Sequence, residues 1–502
     1  MKAGAAVDDT RSHTKLGGGR RSPSGARLAG DDYQHLVTWC WTLRALLPGS
    51  GVVEIEVEAP DAGNVDDVVL VRQTPPHDYL QAKYAVDAAS PVNTNWLTCP
   101  SPSGGPSLLQ RFHASWQRLH TNGTEPTMWL VTNRDLDSTD AALAGRDGRT
   151  QTLAGTLADA GTRSAAGHQR AAWAAHLGIG EDQLLAMLRS LRFDTGRGYA
   201  AERQHAADLM IARGLRADDQ AVTLGVATVR GWVADGKRRF DLAALQAEID
   251  SLHLKVMDPW CVLLVQAIAH DLHPEDATVS LDWVDLFEGD EPFQRRRPHD
   301  PAAWETRMRP DLRAAIAQLR TRGCQRVLVR GALRLPAWFT VGNECAGVTG
   351  TTVACRQSGQ LWSSDEPATG NSQLTTHETP IERGDDVAVA LAITTDLTDD
   401  VRDYLRATNL PIRTLATITQ AAGSSDQAVT GPGHAVALAQ AIRDEVRRLA
   451  RVVSAPRVHL FMACPGGLAL LVGHRWNRVP TTHLYEDLGA GRGYTPAFQL
   501  RY

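Results

Sequence analysis

The chain has 502 residues, more than one hydrophobic core usually serves, so two or three domains are expected. Its 43% hydrophobic and 22% charged residues suit an ordinary globular protein, and a formal net charge of -5 excludes a surface coated throughout with cation for nucleic acid. Any nucleic-acid contact has to be regional. Seven cysteines, at 40, 99, 261, 324, 345, 355 and 464, form no Cys-x-x-Cys pair and no zinc spacing, which fits a reduced, cytoplasmic setting. No stretch approaches the apolar length of a membrane span, so no membrane association is expected.

Residues 1–30 are polar, Gly-rich and basic, and are expected to be a disordered tail. Arg20-Arg21 is followed by hydrophilic residues rather than by the apolar run of an export signal. From Tyr33 to Leu47, apolar residues recur at helical spacing until Pro48-Gly49 stops them. Three short strands are expected next, Val53 to Val57, Val68 to Val71 and Tyr79 to Tyr84, with turns at Gly63-Asn64 and Pro75-Pro76. A helix over Leu108 to Leu119 and a strand over Met128 to Val131 follow. The Ala-rich segment from Asp137 to Leu254 is expected to be a mostly helical extension of this first α/β domain, which spans 31–250.

Beyond it, 251–502 changes character. Short β-rich runs at Val327 to Val329, Val387 to Ile393, Ile412 to Ile418, Val458 to Met462 and Thr482 to Tyr485 are interleaved with helical patterns at Asp399 to Ala407, His434 to Val452 and Gly466 to Trp476. That alternation predicts a parallel, Rossmann-like sheet, and two strand-loop-helix-strand units hint at duplication.

Chemistry concentrates at the ends of the early strands. Asp67 starts an apolar strand, and Gln81 and Lys83 share a face of the next because strand side chains alternate. Asp67, the Gln81 side-chain oxygen and the Ala82 carbonyl are hard donors suited to Mg²⁺ or Mn²⁺, while Lys83 can hold an attacking water beside a phosphate. Glu58 is the candidate extra carboxylate, with Glu54 and Glu56 as competitors on its face and Asp66 as a competitor of Asp67. The spacing by itself also suits a turn acid and a solvated strand lysine. Arg111, Arg118 and His120 on the following helix suit either phosphate contact or a solvated face.

In the C-terminal half, loops leaving strands toward helices suit anions. Thr394 and Thr395 lie in one such loop, and Pro465, Gly466 and Gly467 in another. Trp338 is a weaker candidate for stacking on a ligand, since a Trp in an apolar run also serves a core.

Two resemblances gather these features. Gly30 to Gln34, Glu58 to Val71 and Tyr79 to Tyr84 resemble the PD-(D/E)XK nuclease superfamily in its Mrr-like branch, where Gln often replaces the acid, and the N-terminal nuclease domain of certain anti-phage effectors. By that resemblance Gln34 lies near the site. Trp304, Val327 to Gly331, Trp338 to Gly342, His459 to Ala469 with Gly473, His483 to Glu486 and Gly493 to Pro496 resemble the SAVED domain over Lys255 to Tyr502. That family is built from two fused CARF-like Rossmann units and binds cyclic oligonucleotides. The combination is the layout of effectors in CBASS, the bacterial cyclic-oligonucleotide anti-phage system. It implies a metal-dependent endonuclease that degrades duplex DNA with low sequence specificity, after a cyclic di- or trinucleotide drives homo-oligomerisation. A ligand-independent restriction-type endonuclease and a non-enzymatic cyclic-nucleotide sensor are the alternatives.

Overall fold

The computed structural model describes residues 23–101, 104–120, 124–489 and 491–501, and the expected tail at 1–22 lies outside them. Helix α1 (Pro23–Ala45) begins well before Tyr33, so residues 23–30 are helical rather than part of a tail. Its second half is nailed down by buried Leu36, Trp39, Cys40 and Leu43. Once that half is formed, extending the helix backwards costs little, because nucleation and not propagation is the expensive step.

Strands β1 (Val52–Val57), β2 (Val68–Arg72) and β3 (Asp78–Lys83) form an antiparallel meander. Helices α2 (Thr94–Thr98) and α3 (Leu108–Leu119) lead to β4 (Thr127–Thr132), which pairs parallel to β3. The limits of α3 follow from a capping box, Ser107 with Gln110, at its start. The segment expected to be mostly helical holds α4 (Ala154–Asp159), α5 (Ala165–Leu177), α6 (Glu181–Ser190), α7 (Tyr199–Ala212), α8 (Asp219–Ala234) and α9 (Leu242–Ser251). It also supplies β5 (Leu191–Thr195) and β6 (Arg239–Asp241), which close the two edges of the sheet in the order β5-β4-β3-β2-β1-β6. The extension therefore completes the sheet as well as packing on it. Burying Leu191, Phe193 and Phe240 against neighbouring strands decides this over local helical preference.

Sequential strands β7 (Cys261–Gln266), β8 (Val279–Asp282), β9 (Arg326–Arg330), β10 (Thr352–Gln357) and β11 (Gln360–Ser363) make a second sheet ordered β11-β10-β9-β7-β8. Its central pairs are parallel. A third sheet, ordered β12-β14-β13-β15-β16-β17, contains β12 (Leu374–Pro380), β13 (Asp386–Ala392), β14 (Ile412–Gln420), β15 (Arg457–Ala463), β16 (Thr481–Asp487) and β17 (Tyr494–Leu500). It too is parallel at its centre, with antiparallel edges. The expected parallel sheet is thus two mixed sheets. Pro496 is tolerated in β17 because that strand is an edge.

Helices α10 (Arg309–Thr321), α11 (Leu335–Glu344), α13 (Pro432–Val452) and α14 (Gly466–His474) share one core with the second and third sheets, while α12 (Thr398–Ala407) covers the opposite face of the third. The two units meet where α11 crosses α14. A Cβ on Gly342 would come within 2.0 Å of the Leu470 carbonyl oxygen, and one on Gly473 within 2.0 Å of the Phe339 carbonyl oxygen, so this approach requires glycine at both positions. The first sheet is covered on one side by α1, α7, α8 and α9, and that core continues into Trp260, Val262, Leu328 and Ala354 of the second unit.

The cysteines correct one expectation. Cys261 and Cys324 are joined in a disulfide across 63 residues of sequence. Pairing of β7 with β9 places Cys261 opposite Val327 and brings Cys324 alongside, a proximity that no sequence spacing announces. Among the described residues, no helix is long and apolar enough to cross a membrane.

Candidate functional site

The ends of β1, β2 and β3 lie side by side. The Glu58 N–H donates to the Asp67 carbonyl (3.1 Å), and the Asp67 N–H to the Leu80 carbonyl (3.1 Å), which brings Glu58, Asp67 and Gln81 into neighbouring positions across the sheet. Asp67 Oδ2 accepts from Gln81 Nε2 (2.5 Å) and from the Ala82 N–H (2.6 Å), while Oδ1 accepts from Gln34 Nε2 (2.9 Å) on α1. Gln34 therefore reaches the carboxylate itself. Gln81 Nε2 also stands 3.5 Å from the Ala82 carbonyl, so a carboxylate, an amide and a carbonyl share one small volume.

Burial raises the pKa of Asp67 from its ordinary 3.8 to about 6, against the Ala82 N–H, Lys83 and Gln81, which all favour the anion. Burial lowers that of Lys83, and nearby Asp67 opposes the shift while Arg111 adds to it. Arg111 is thus the cation of α3 that Lys83 feels, and its buried Nε has no hydrogen-bond partner among the described residues. Arg118 is drawn to Asp61 at 3.8 Å, and His120 stacks on Trp116 and faces Glu125 at 3.3 Å.

The acidic competitors divide. Glu58, at a positive φ of 48°, pairs with Arg238 at 3.4 Å, and Glu56 pairs with Arg239 at 3.3 Å. No group of three or more His, Cys, Asp or Glu side chains placed to hold a metal occurs among the described residues. The cluster around Asp67 is instead a mixed donor set of one carboxylate, one amide and one main-chain carbonyl.

Two crevices mark the other half. In the second sheet β7 connects to β8 on one side and β9 to β10 on the other. In the third, β13 connects to β14 and β15 to β16, again in opposite directions. Such reversals open a cleft at the carboxyl ends of the diverging strands. The cleft of the third sheet is a cavity of about 340 Å³ lined by Thr394, Thr395, Cys464, Arg334 and Glu486. Pro465, Gly466 and Gly467 do not line it. A Cβ on Gly466 would come within 2.7 Å of Trp338 Nε1, the Gly467 N–H donates to Gln357 Oε1 (3.2 Å), and Gly467 abuts Trp362. These glycines let α14 pack on the second unit instead of cradling an anion. Trp338 faces a different cavity, of about 520 Å³, at the ends of β7 and β9.

Glu486 was not singled out by sequence. Burial raises its pKa to about 8, although Arg334 stands 3.7 Å away. Also unforeseen is an ionic seam between the first domain and the second sheet. Arg44 of α1 donates to Asp276 Oδ1 (2.6 Å) and Glu275 Oε1 (2.8 Å), and His273 lies 2.9 Å from Asp194 Oδ2 at the end of β5. Burial opposes ionisation of Asp194, but Arg197 and His273 hold its pKa well below the carboxylate range. Only long-range folding assembles these groups, so no local signal could have found them.

Residues 305–500 match the model of the family described as SAVED, the "SMODS-associated and fused to various effectors sensor domain". The chain is 25% identical over 523 residues to CD-NTase-associated protein 4 of Enterobacter hormaechei subsp. hoffmannii (strain UCI 50), covering 95% of this chain and 99% of that protein. Among solved structures, the Acinetobacter baumannii Cap4 SAVED/CARF-domain containing receptor with the cyclic trinucleotide 3'3'3'-cAAA aligns at a TM-score of 0.43 and 12% identity, covering 96% of this chain and 100% of that one. The Moraxella osloensis Cap4 receptor aligns at 0.41 and 12%, covering 95% and 100%. Residues 305–500 are thus similar to the SAVED family model, and the chain is similar over nearly its whole length to CD-NTase-associated protein 4.

Proposed function

We propose that the chain is a cyclic-oligonucleotide-activated, metal-dependent DNA endonuclease of CBASS defence, with a PD-(D/E)XK-type nuclease domain over 31–250 and a SAVED sensor over 251–502. The observation that carries the reading is the convergence of Asp67, Gln81, the Ala82 carbonyl and Lys83 at adjacent strand ends.

The donor set suits a divalent cation such as Mg²⁺ or Mn²⁺. Asp67 is a buried anion held by neutral hydrogen-bond donors and one lysine, and Gln81 can turn its amide oxygen toward the same volume. Asp67, Gln81 and the Ala82 carbonyl would hold the ion, with Glu58 as the carboxylate available if Arg238 releases it. When bound, the ion supplies Lewis-acid stabilisation of the charge that develops on phosphate. Gln34 fixes the orientation of Asp67 from α1. Lys83 holds the attacking water and stabilises the anionic phosphate, and Arg111 adds positive charge beside it.

The sensor contributes the switch. The SAVED match and the similarity to CD-NTase-associated protein 4 support a sensor role for this part. A cyclic di- or trinucleotide is its proposed ligand, with subunits assembling on binding and duplex DNA as the proposed substrate. Carrying such a switch from mostly idle to mostly active needs about 5.5 kcal/mol of differential binding.

The test is plasmid DNA with Mg²⁺ and purified protein, adding each member of a panel of cyclic di- and trinucleotides. Degradation with one ligand only is expected. Degradation without ligand would establish the restriction-type alternative, and binding without cutting the silent sensor.

A further inference from the structure

Glu58 follows β1 in a strained conformation. Its φ of 48° lies in the left-handed region, which a residue with a Cβ enters only against a steric cost. Two main-chain contacts hold it there. The Glu58 N–H donates to the Asp67 carbonyl (3.1 Å), and the Arg238 guanidinium donates to the Glu58 carbonyl. The same guanidinium stands 3.4 Å from the Glu58 carboxylate, so one side chain grips both the backbone and the acid. Arg238 is itself placed by the sheet, since its carbonyl accepts from the Val57 N–H (2.8 Å) just before β6 pairs with β1.

Held in this way, the acid stands beside the proposed nuclease centre but outside it. The charges that act most on Asp67 are Lys83 and Asp66, and Glu58 is not among them. Glu58 instead acts on His35 of α1, together with Asp31, Asp32 and Arg230. Around it, Arg230 is paired with Asp32, Arg239 with Glu56 (3.3 Å) and Asp61 (4.0 Å), and Arg118 with Asp61 (3.8 Å). This face therefore carries at least as many acids as arginines and has no surplus of positive charge. A phosphate gains a guanidinium here only by exchange with a carboxylate. Arg238 and Glu58 are 46% and 36% exposed, and ion pairs that water reaches are weak, so that exchange costs little.

We propose that Arg238 is a latch operated by the DNA backbone: without DNA it holds Glu58 aside, and a backbone phosphate takes its guanidinium and frees Glu58 to join Asp67, Gln81 and the Ala82 carbonyl. The proposal rests on the nuclease reading and adds to it a positioning residue and an order of events. Because the Glu58 main chain is already bonded to that of Asp67, release needs rotation of one side chain. Binding of metal and binding of substrate thereby favour each other, as linkage requires. Idle protein lacks a complete donor set until its substrate is in place.

The experiment uses full-length protein and two readouts that need no cutting. Mn²⁺ affinity is read by electron paramagnetic resonance without DNA, and binding of a short fluorescent duplex is read in EDTA as salt is varied. Arg238→Gln should bind Mn²⁺ about threefold more tightly or better, whereas in a Glu58→Gln background the same change should do nothing, there being no carboxylate to release. A gain that persists in that background is the mere loss of a positive charge and overturns the latch. On DNA, Arg238→Gln should reduce the slope of log affinity against log salt by about one unit, and an unchanged slope overturns the phosphate contact. Thermal melts check folding. If Arg238→Gln fails to fold, Arg238→Lys, whose ammonium cannot span the Glu58 carbonyl and carboxylate together, takes its place with the same expectation for Mn²⁺. Asp67→Asn separates the latch from the reading beneath it. If it loses Mn²⁺ binding while Arg238→Gln matches the wild type, the metal centre stands and the latch falls. If the wild type takes up no Mn²⁺, or Asp67→Asn binds it unchanged, the metal centre falls and the latch with it.

Discussion

Asp67 and Glu486 are both carboxylates buried at the ends of strands, one in the first sheet and one in the third, yet their surroundings treat the proton differently. Around Asp67, two amide side chains and a main-chain N–H donate directly to the oxygens, and its pKa rises only to about 6. Glu486 has Arg334 nearby at 3.7 Å but is more completely buried, and its pKa rises to about 8. Burial is the largest cause in both, and the Ala82 N–H, Lys83 and Gln81 favour the Asp67 anion where Arg334 and Arg296 favour that of the more fully buried Glu486. The first region holds an anion ready at neutral pH, whereas the third keeps a neutral acid at the mouth of a crevice.

The largest expected effect breaks the comparison at its chemical end. Lys83→Ala should cut DNA degradation by about 10²–10⁴-fold, while ligand affinity by calorimetry stays at the wild-type value. Persisting degradation would remove Lys83 from the site.

Stability against pH sharpens the comparison next. Both folded-state pKa values lie above those of the unfolded chain, so the folded protein holds the proton more tightly and stability falls as pH rises between the two values. For Glu486 that window runs from 4.5 to about 8. Glu486→Gln should therefore stabilise by an amount that grows to roughly 5 kcal/mol at the top of the window, as read by denaturant melts. For Asp67 the window runs from 3.8 to about 6. Asp67→Asn should abolish cutting, and its stability relative to the wild type should climb by ~3 kcal/mol across the window and then level off, from a start lowered by the Asn Nδ2 that faces a hydrogen-bond donor. A common plateau for the two variants would show that the hydrogen bonds to Asp67 do not set its ionisation.

The smallest effect isolates one donor. In a Gln34→Leu background, Asp67 loses the bond from α1, and the plateau of the Asp67→Asn gain should move upward by about one pH unit, the worth of one charge-assisted hydrogen bond. An unmoved plateau would make Gln34 a bystander.

Local patterns carried much of the molecule. The capping box and apolar spacing of α3, the alternation of β1, and the runs that became β9 and β13 to β16 are each decided by neighbours within a few residues. The same holds for Asp67, Gln81 and Lys83, because strand alternation places Gln81 and Lys83 on one face and short turns bring the strands together. Residues 23–30 joined a helix because buried residues further along had already nucleated it. Strands β5 and β6 were hidden in an Ala-rich, helix-forming stretch, since their stability comes from edges of a sheet built much earlier in the chain.

What the sequence by itself determined was the α/β class and the placing of Asp67, Gln81 and Lys83 at adjacent strand ends, because these rest on periodicity and on residue type. Tertiary structure alone decided the disulfide of Cys261 with Cys324, the packing role of Gly466 and Gly467, the ionic seam around Asp194 and His273, and the two crevices. Each of those depends on which surfaces are brought within a few ångströms of one another, and the free energy of burial and of long-range strand pairing, summed over distant segments, makes that choice.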